Sequence, residues 1–304
     1  MNLKLNLKLN LKLNLKLTQR TFAMLSLSGA FAVCGIAHAQ GIAFITDVKG
    51  EATLDANKAG LMAELKKGNR LGCTKACEVG VMYLQSGKEF VLKGPGDFVV
   101  GEAEVAAKVG PPPKMRETDW KVSGKTVNAF AQATSSASIR MRSIGVASSL
   151  KNDALPPAER LIYPTKTTVV SLQPAFRWAS LHEKGRFDFE LRSVSSSARP
   201  IYKSTANVTN IKLPGNLKLK PDVEYAWTVK SAGMEVGTST FKTLPAHSLE
   251  LTQKRKPLDK AAFSDWLLYA LTLQELGASQ DASEIFEKLA KDRPDLPELA
   301  ELGK

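Results

Sequence analysis

Cysteine and histidine are scarce in this chain of 304 residues, with three of each. Cys34 sits near the start, which leaves only Cys73 and Cys77 farther on. A disulfide-dense scaffold is therefore excluded, as is a four-cysteine zinc site. The histidines beyond the first 40 residues, His182 and His247, are far apart and form no paired-histidine zinc motif. Long apolar runs are missing after Ala39, so no later segment matches a bilayer span of roughly 20 residues. The nucleophile-elbow pattern G-x-S-x-G, the phosphate-binding loop and the calcium loop are all absent. Carboxylate pairs such as Glu102/Glu104 and Asp188/Glu190 fall on exposed strand faces. Together these absences predict a chain that is not an enzyme, with no catalytic residues, no cofactor and no metal.

Acidic residues are missing from the first 20 positions, which carry Lys4, Lys8, Lys12, Lys16 and Arg20. An apolar stretch, FAMLSLSGAFAVCGIA (22–37), follows and ends in Ala37-His38-Ala39. A basic segment, a short apolar segment and a small-residue cut site make a secretory signal peptide over 1–39. Cleavage after Ala39 and a periplasmic location are expected. An uncleaved anchor fits less well, because the apolar stretch is short for a span. Acylation of Cys34 also fits less well, because Phe31-Ala32-Val33 supplies a bulky residue just before the cysteine. The opening NLKL repeats are set apart from the fold as simple sequence.

Net charge narrows the partners. The formal +12 includes the leader's five basic residues; the remainder has 37 basic against 30 acidic residues. That excess is mild and spread out, with Lys254-Arg255-Lys256 its densest point. Nucleic acid is not expected, since no basic stripe or recognition motif is present. Weak association with an anionic membrane surface suits the charge. In an oxidising compartment, Cys73 and Cys77 read as a disulfide. The three residues between them exclude a redox C-x-x-C pair.

Residues 42–105 read as short strands with Gly-based turns, an all-β module. Gly68-Asn69 is one turn. Val81, Tyr83 and Gln85 alternate with Met82, Leu84 and Ser86, and Ser86-Gly87 then turns into Glu89–Leu92. Gly94-Pro95-Gly96 turns again into Phe98-Val99-Val100. The strand DVKGEATL, the step KKGNRL and the run VMYLQSGKEFVLKGPGDFVV make residues 40–105 resemble the FecR domain family. That family is named for a periplasmic sensor of iron dicitrate. Its sensors carry a cytoplasmic segment that meets a sigma-factor system, then a membrane span. Here a basic leader stands in that place. The Cys73/Cys77 pair has no counterpart in the family pattern.

Residues 106–160 read as a linker rich in Pro, Ala and Ser, with Pro111-Pro112-Pro113 as a stiff spacer. Residues 161–246 alternate again. Phe187, Phe189, Leu191 and Val194 are placed inward, as are Val223, Tyr225, Trp227 and Val229. The order of strands, with PAFRW (174–178) and YAW (225–227), resembles an Ig/fibronectin-III-like β-sandwich. Trp178 and Trp227 read as core; the other use open to them is as sugar-binding platforms.

The period changes at residue 258. Phe263, Trp266, Leu267, Ala270 and Leu271 form one helical stripe, and Ala282, Ile285, Phe286 and Leu289 a second. Gly277 joins the two helices over 258–302. Trp266, Ala270, Gly277, Ala282, Phe286 and Pro294 resemble the marker positions of a tetratricopeptide repeat. Small residues there let the helices approach, while Trp266 and Phe286 fill the gap. A single repeat is not stable alone, so the hairpin must pack on a β module, a second copy or a partner. The expected class is mainly β with a C-terminal helical hairpin. The expected role is an envelope binding or adaptor protein of FecR-domain type that recognises a protein partner or polymer. The alternatives are a peptidoglycan- or carbohydrate-binding protein and a FecR-like transmembrane signalling regulator.

Overall fold

The computed structural model describes residues 41–118, 120, 160–180, 185–195 and 199–302. The predicted signal peptide and most of the predicted linker lie outside them. Among these residues the chain is mainly β, with helices gathered at its C-terminal end. Ten strands come first: β1 (Ala43–Lys49), β2 (Ala52–Leu54), β3 (Asn57–Lys58), β4 (Glu64–Leu65), β5 (Arg70–Cys73), β6 (Glu78–Tyr83), β7 (Lys88–Lys93), β8 (Gly96–Val100), β9 (Val105–Val109) and β10 (Lys114–Glu117). They form two five-stranded sheets. The inner sheet has the order β10-β7-β6-β1-β4, and the outer one β3-β2-β5-β8-β9. The chain repeatedly crosses between the two.

Alternation along β1 explains the layering. Ala43 and Ile45 point into the core between the sheets, with Val79, Val81, Leu92 and Phe98. Phe44 points to the opposite face and joins Met82 in a second core. Both faces of the inner sheet are thus covered, which is why β1 and β6 carry apolar residues at consecutive positions. β6 and β7 pair as the predicted hairpin, Val81 opposite Phe90. Gly87 supplies the left-handed turn between them at φ +67°.

The predicted boundary at 105 falls too early. β9 pairs with β8 and β10 with β7, so Pro111-Pro112-Pro113 is a corner between two strands of different sheets. Lysine and alanine in VAAKV hid the first of these strands, and proline hid the approach to the second.

The disulfide Cys73–Cys77 is present, with both cysteines buried. Its short loop contributes about 2 kcal/mol in the chain-entropy account. Beside it the backbone is tight. A Cβ added at Gly94 would lie 1.7 Å from the Thr74 carbonyl oxygen. Gly94→Ala must therefore displace backbone, which costs about 1–3 kcal/mol or more. Thermal melting should show a clear loss of stability; an unchanged midpoint would mean that the corner yields freely.

The second module holds β11 (Arg160–Tyr163), β12 (Thr167–Val169), β13 (Ala175–Ala179), β14 (Phe187–Ser193), β15 (Tyr202–Ala206), β16 (Asn210–Lys212), β17 (Glu224–Ser231) and β18 (Met234–Thr243). A three-stranded sheet, β11-β13-β16, faces a five-stranded one, β12-β18-β17-β14-β15. Their core is aromatic: Phe176 packs on Phe189, Trp227 and Phe241, and Trp178 on Phe187. Trp178 and Trp227 are 2% and 0% exposed, and Trp227 Nε1 donates to the Pro164 carbonyl at 2.7 Å. The Tyr225 hydroxyl accepts a bond from the Lys220 N–H at 2.8 Å. Val194 departs from the predicted inward set; it lies just past β14 and is exposed.

Four helices follow: α1 (Ala246–Arg255), α2 (Phe263–Glu275), α3 (Ser279–Asp292) and α4 (Glu298–Leu302). α1 stands mostly in the interval between 246 and 258, to which the sequence reading assigned no element. Only Leu249 and Thr252 of α1 are buried, too few to set a helical period. α2 is buried well beyond its predicted stripe, through Leu268, Tyr269 and Leu273. A helix apolar nearly all round is a covered helix. Its C-terminus closes as a Schellman motif on Gly277, φ +77°. Gly277 N–H donates to the Gln274 carbonyl and Ala278 N–H to that of Leu273.

Gln40–Lys304 forms one compact unit, and the helical pair holds it together. On one side Leu267, Leu268 and Leu271 share a core with Phe44, Met62, Met82 and Trp120. On the other side the Thr168 N–H donates to the Gly277 carbonyl at 3.0 Å, and the Thr165 N–H to Gln280 Oε1 at 2.8 Å. A single helical pair stands because both of its sides are occupied.

Candidate functional site

The remaining face of the helical pair carries a groove of about 610 Å³. Phe263, Trp266, Tyr269 and Leu273 line it from α2, at spacings of three and four that place them on one helical face. Ile285 and Leu289 line it from α3, and Val170 closes the end nearest the second β module. Charges of both signs stand around this apolar floor: Lys49, Lys256, Asp259, Glu284, Lys288 and Asp292.

The aromatic rings are held in place by their neighbours. Trp266 and Tyr269 meet edge to face at 6.2 Å. Lys288 Nζ lies 5.4 Å from the Trp266 ring centre, and the Arg293 guanidinium 4.9 Å from that of Phe263. Arg293 also donates to Asp47 Oδ1 at 2.5 Å and to the Val48 carbonyl at 2.6 Å. Burial, with the nearby Asp281 carboxylate, pushes the Tyr269 hydroxyl up to about 12. It stays protonated at neutral pH and is a donor there.

Asp281 lies between groove and second module. It accepts from the Tyr163 hydroxyl at 2.8 Å and from the Val170 N–H at 3.3 Å. Burial raises its carboxyl above the usual range, and those two bonds offset only part of the rise. A raised folded-state value means that the native state binds the proton more tightly than the unfolded chain does. Stability from this group is thus fully present below its unfolded value and is lost as pH rises through the folded one. Asp281→Asn keeps an acceptor for Tyr163 and should remove that loss. The variant's stability relative to the parent, read from denaturant curves, should rise as pH goes from below the ordinary aspartate range to neutral. An unaltered pH dependence would place the loss elsewhere.

A buried polar cluster ties the helices to the inner sheet behind the groove. Glu89, 2% exposed, accepts from Thr46 Oγ1 at 2.6 Å and from Arg116 Nε at 2.9 Å, with a second, closer contact to the same guanidinium. Arg116 also donates to Asp265 at 2.8 and 3.1 Å and to Ser264 Oγ at 3.0 Å. Trp120 Nε1 donates to Asp265 at 3.1 Å. Burial disfavours the charged guanidinium, but its bonds to Asp265 and Glu89 outweigh this and hold Arg116 above its ordinary value.

Of the residues singled out from the sequence, Phe263, Trp266, Ile285 and Leu289 line the groove. Ala270, Ala282 and Phe286 are buried in the shared core, Gly277 caps α2, and Pro294 is exposed just after α3. Cys73 and Cys77 lie in the first β module, away from the groove. His247 is exposed on α1, and His182 lies outside the described residues. Among the described residues no three His, Cys, Asp or Glu side chains converge as a metal site. Sequence reasoning missed Tyr269, Asp281, Lys288 and Arg293. Each falls three or four positions from a residue it did name, and a helical projection would have found all but Arg293, which lies just past the end of α3. Glu89, Arg116 and Asp265 carried no such signal. Their separations are 27 and 149 residues.

No family model matches this chain, and no curated protein does. Among solved structures it is similar to a β-1,2-glucanase from Parabacteroides distasonis, at 8% identity and a TM-score of 0.24. That alignment covers 83% of this chain and 49% of the glucanase, so the chain spans about half the length of that enzyme. The expectation that the chain is not an enzyme is not borne out by the comparisons, in which the similar protein is an enzyme. A likeness this distant carries neither a fold nor an activity across.

Proposed function

We propose that the chain is an exported protein of the bacterial envelope that recognises a protein partner through the groove on its helical pair. The observation that carries this reading is the groove itself. Its aromatic and aliphatic floor is ringed by charges, the pattern of a surface that takes up an apolar segment and orients it by its polar flanks. The frame behind it is rigid, because each end of the helical pair is tied to a different β module.

The scaffold reading rests on the same elements. The two interleaved five-stranded sheets suit a FecR-like domain. The three-on-five sandwich, with Tyr225 bonded back to Lys220 and Trp227 two residues later, suits a fibronectin-III-like or Ig-like module, in which such a tyrosine corner recurs. The Gly277 turn between α2 and α3 suits a tetratricopeptide-like pair. The disulfide is consistent with an oxidising compartment. The carbohydrate reading loses its two named tryptophans, since Trp178 and Trp227 are core. Among the described residues no helix is long and apolar enough to cross a membrane.

Photo-crosslinking in the native envelope tests the proposal. A photoreactive residue at Ile285, in the groove, should capture a discrete protein. The same group at Lys230, on the outer face of the second module, should not. Trp266→Ala should remove the product. Identical products from both positions, or glycan products alone, would overturn the reading.

A further inference from the structure

On the far side of the loop that borders the groove, the structure carries a second and chemically different surface. Lys254, Arg255, Lys256 and Lys260 stand within seven residues, at the end of α1 and in the loop that leads to α2. They line a cleft of about 670 Å³ together with Arg116 and Trp120, and Lys256 also borders the groove. The charge of Arg116 is already matched by Glu89 and Asp265. The other four make no ion pair among the described residues; the carboxylate of this loop, Asp259, lines the groove instead. Arg255 is half-buried, with its guanidinium 6.0 Å from the centre of the Trp120 ring. Among the described residues its N–H donors meet no carboxylate.

At the tip of the same loop is Leu258, 81% exposed. Its carbonyl accepts the Ala261 N–H at 2.8 Å, so it is presented on a closed turn. A large aliphatic side chain held in water beside four cations that have no ion partner among the described residues suits a partner that is anionic at one depth and apolar at the next. A soluble polyanion would satisfy the cations and leave Leu258 in water. The neighbouring stretch 121–159 is itself basic, with five Lys or Arg against two acids, so charge argues against it as the occupant.

We infer that this loop is a membrane-surface contact. Lys254, Arg255, Lys256 and Lys260 meet the phosphates of anionic phospholipids, and Leu258 enters the acyl boundary.

Residues 40–304, which form one compact unit, should sediment at low salt with vesicles that contain phosphatidylglycerol and not with phosphatidylcholine alone. Arg255→Ala and Lys256→Ala should each weaken that binding about fivefold, near the usual worth of one basic residue at a charged bilayer. Leu258→Ser should weaken vesicle binding with the thermal midpoint unchanged, and should leave any binding of pyrophosphate as it was. Equal sedimentation with both vesicle types, or none with either, would overturn the inference. So would vesicle binding indifferent to Leu258→Ser and displaced by pyrophosphate, which would assign the cations to a soluble polyanion.

Discussion

Phe286→Ala should destabilise the whole chain by about 3–5 kcal/mol, the usual range for emptying a buried aromatic site. Phe286 is 1% exposed and lies in the core that joins α2, α3 and the inner sheet. A loss of that size is a large share of the roughly 5–15 kcal/mol that holds a typical domain folded. It should lower the melting midpoint by about 10 °C. The loss should also appear in the first β module, because Phe44 and Met82 share the same core. Denaturant unfolding followed by far-ultraviolet dichroism, to which both helices and strands contribute, should shift as a single transition. A variant that loses helical signal while the strands unfold at the parental midpoint would show that the hairpin is only loosely attached.

Arg116→Ala should cost about 3 kcal/mol. The charge it leaves behind, Glu89, is buried, and breaking such a pair from one side is far worse than never having formed it. Arg116 itself is partly exposed, which keeps the expected cost at the low end of the range for buried pairs. Asp265 would retain its bond from Trp120. The same reasoning predicts a rescue. Replacing Glu89 and Arg116 together by Leu and Met removes both charges, and buried pairs exchanged for apolar residues are often neutral in stability. The double variant should therefore be more stable than Arg116→Ala alone. Additive losses in the two single variants would mean that the carboxylate and the guanidinium are not coupled.

Legibility in the sequence followed local period. Alternation in VMYLQSGKEFVL marked β6 and β7 and the turn between them, because inward and outward residues differ sharply there. Phe187 to Leu191 and Tyr225 to Val229 marked the aromatic core of the second module for the same reason. The switch to a spacing of three and four marked α2 and α3. Elements that bury little were not legible. β9 is rich in alanine, β10 is charged, β12 is three residues long and pairs in parallel with β18, and α1 buries two side chains.

The groove was half legible. Trp266 and Ile285 fell on the predicted stripes, but those stripes were read as packing between the helices. What turned them into the floor of a groove is the position of Lys49, Val170 and the 256–261 loop, all set by tertiary structure. The cluster of Glu89, Arg116 and Asp265 was not legible. A charged residue in an alternating strand reads as surface until the helix that covers it is known.

The arrangement that everything above depends on is a helical pair built into both β modules. Amide hydrogen exchange tests it most directly. If α2 is a shared core element, the amides of Leu267–Leu273 should exchange as slowly as those of β1, β6 and β17, through opening of the whole unit. Protection in α2 and α3 lower than in those strands by orders of magnitude would contradict it, and would leave the groove without a rigid frame.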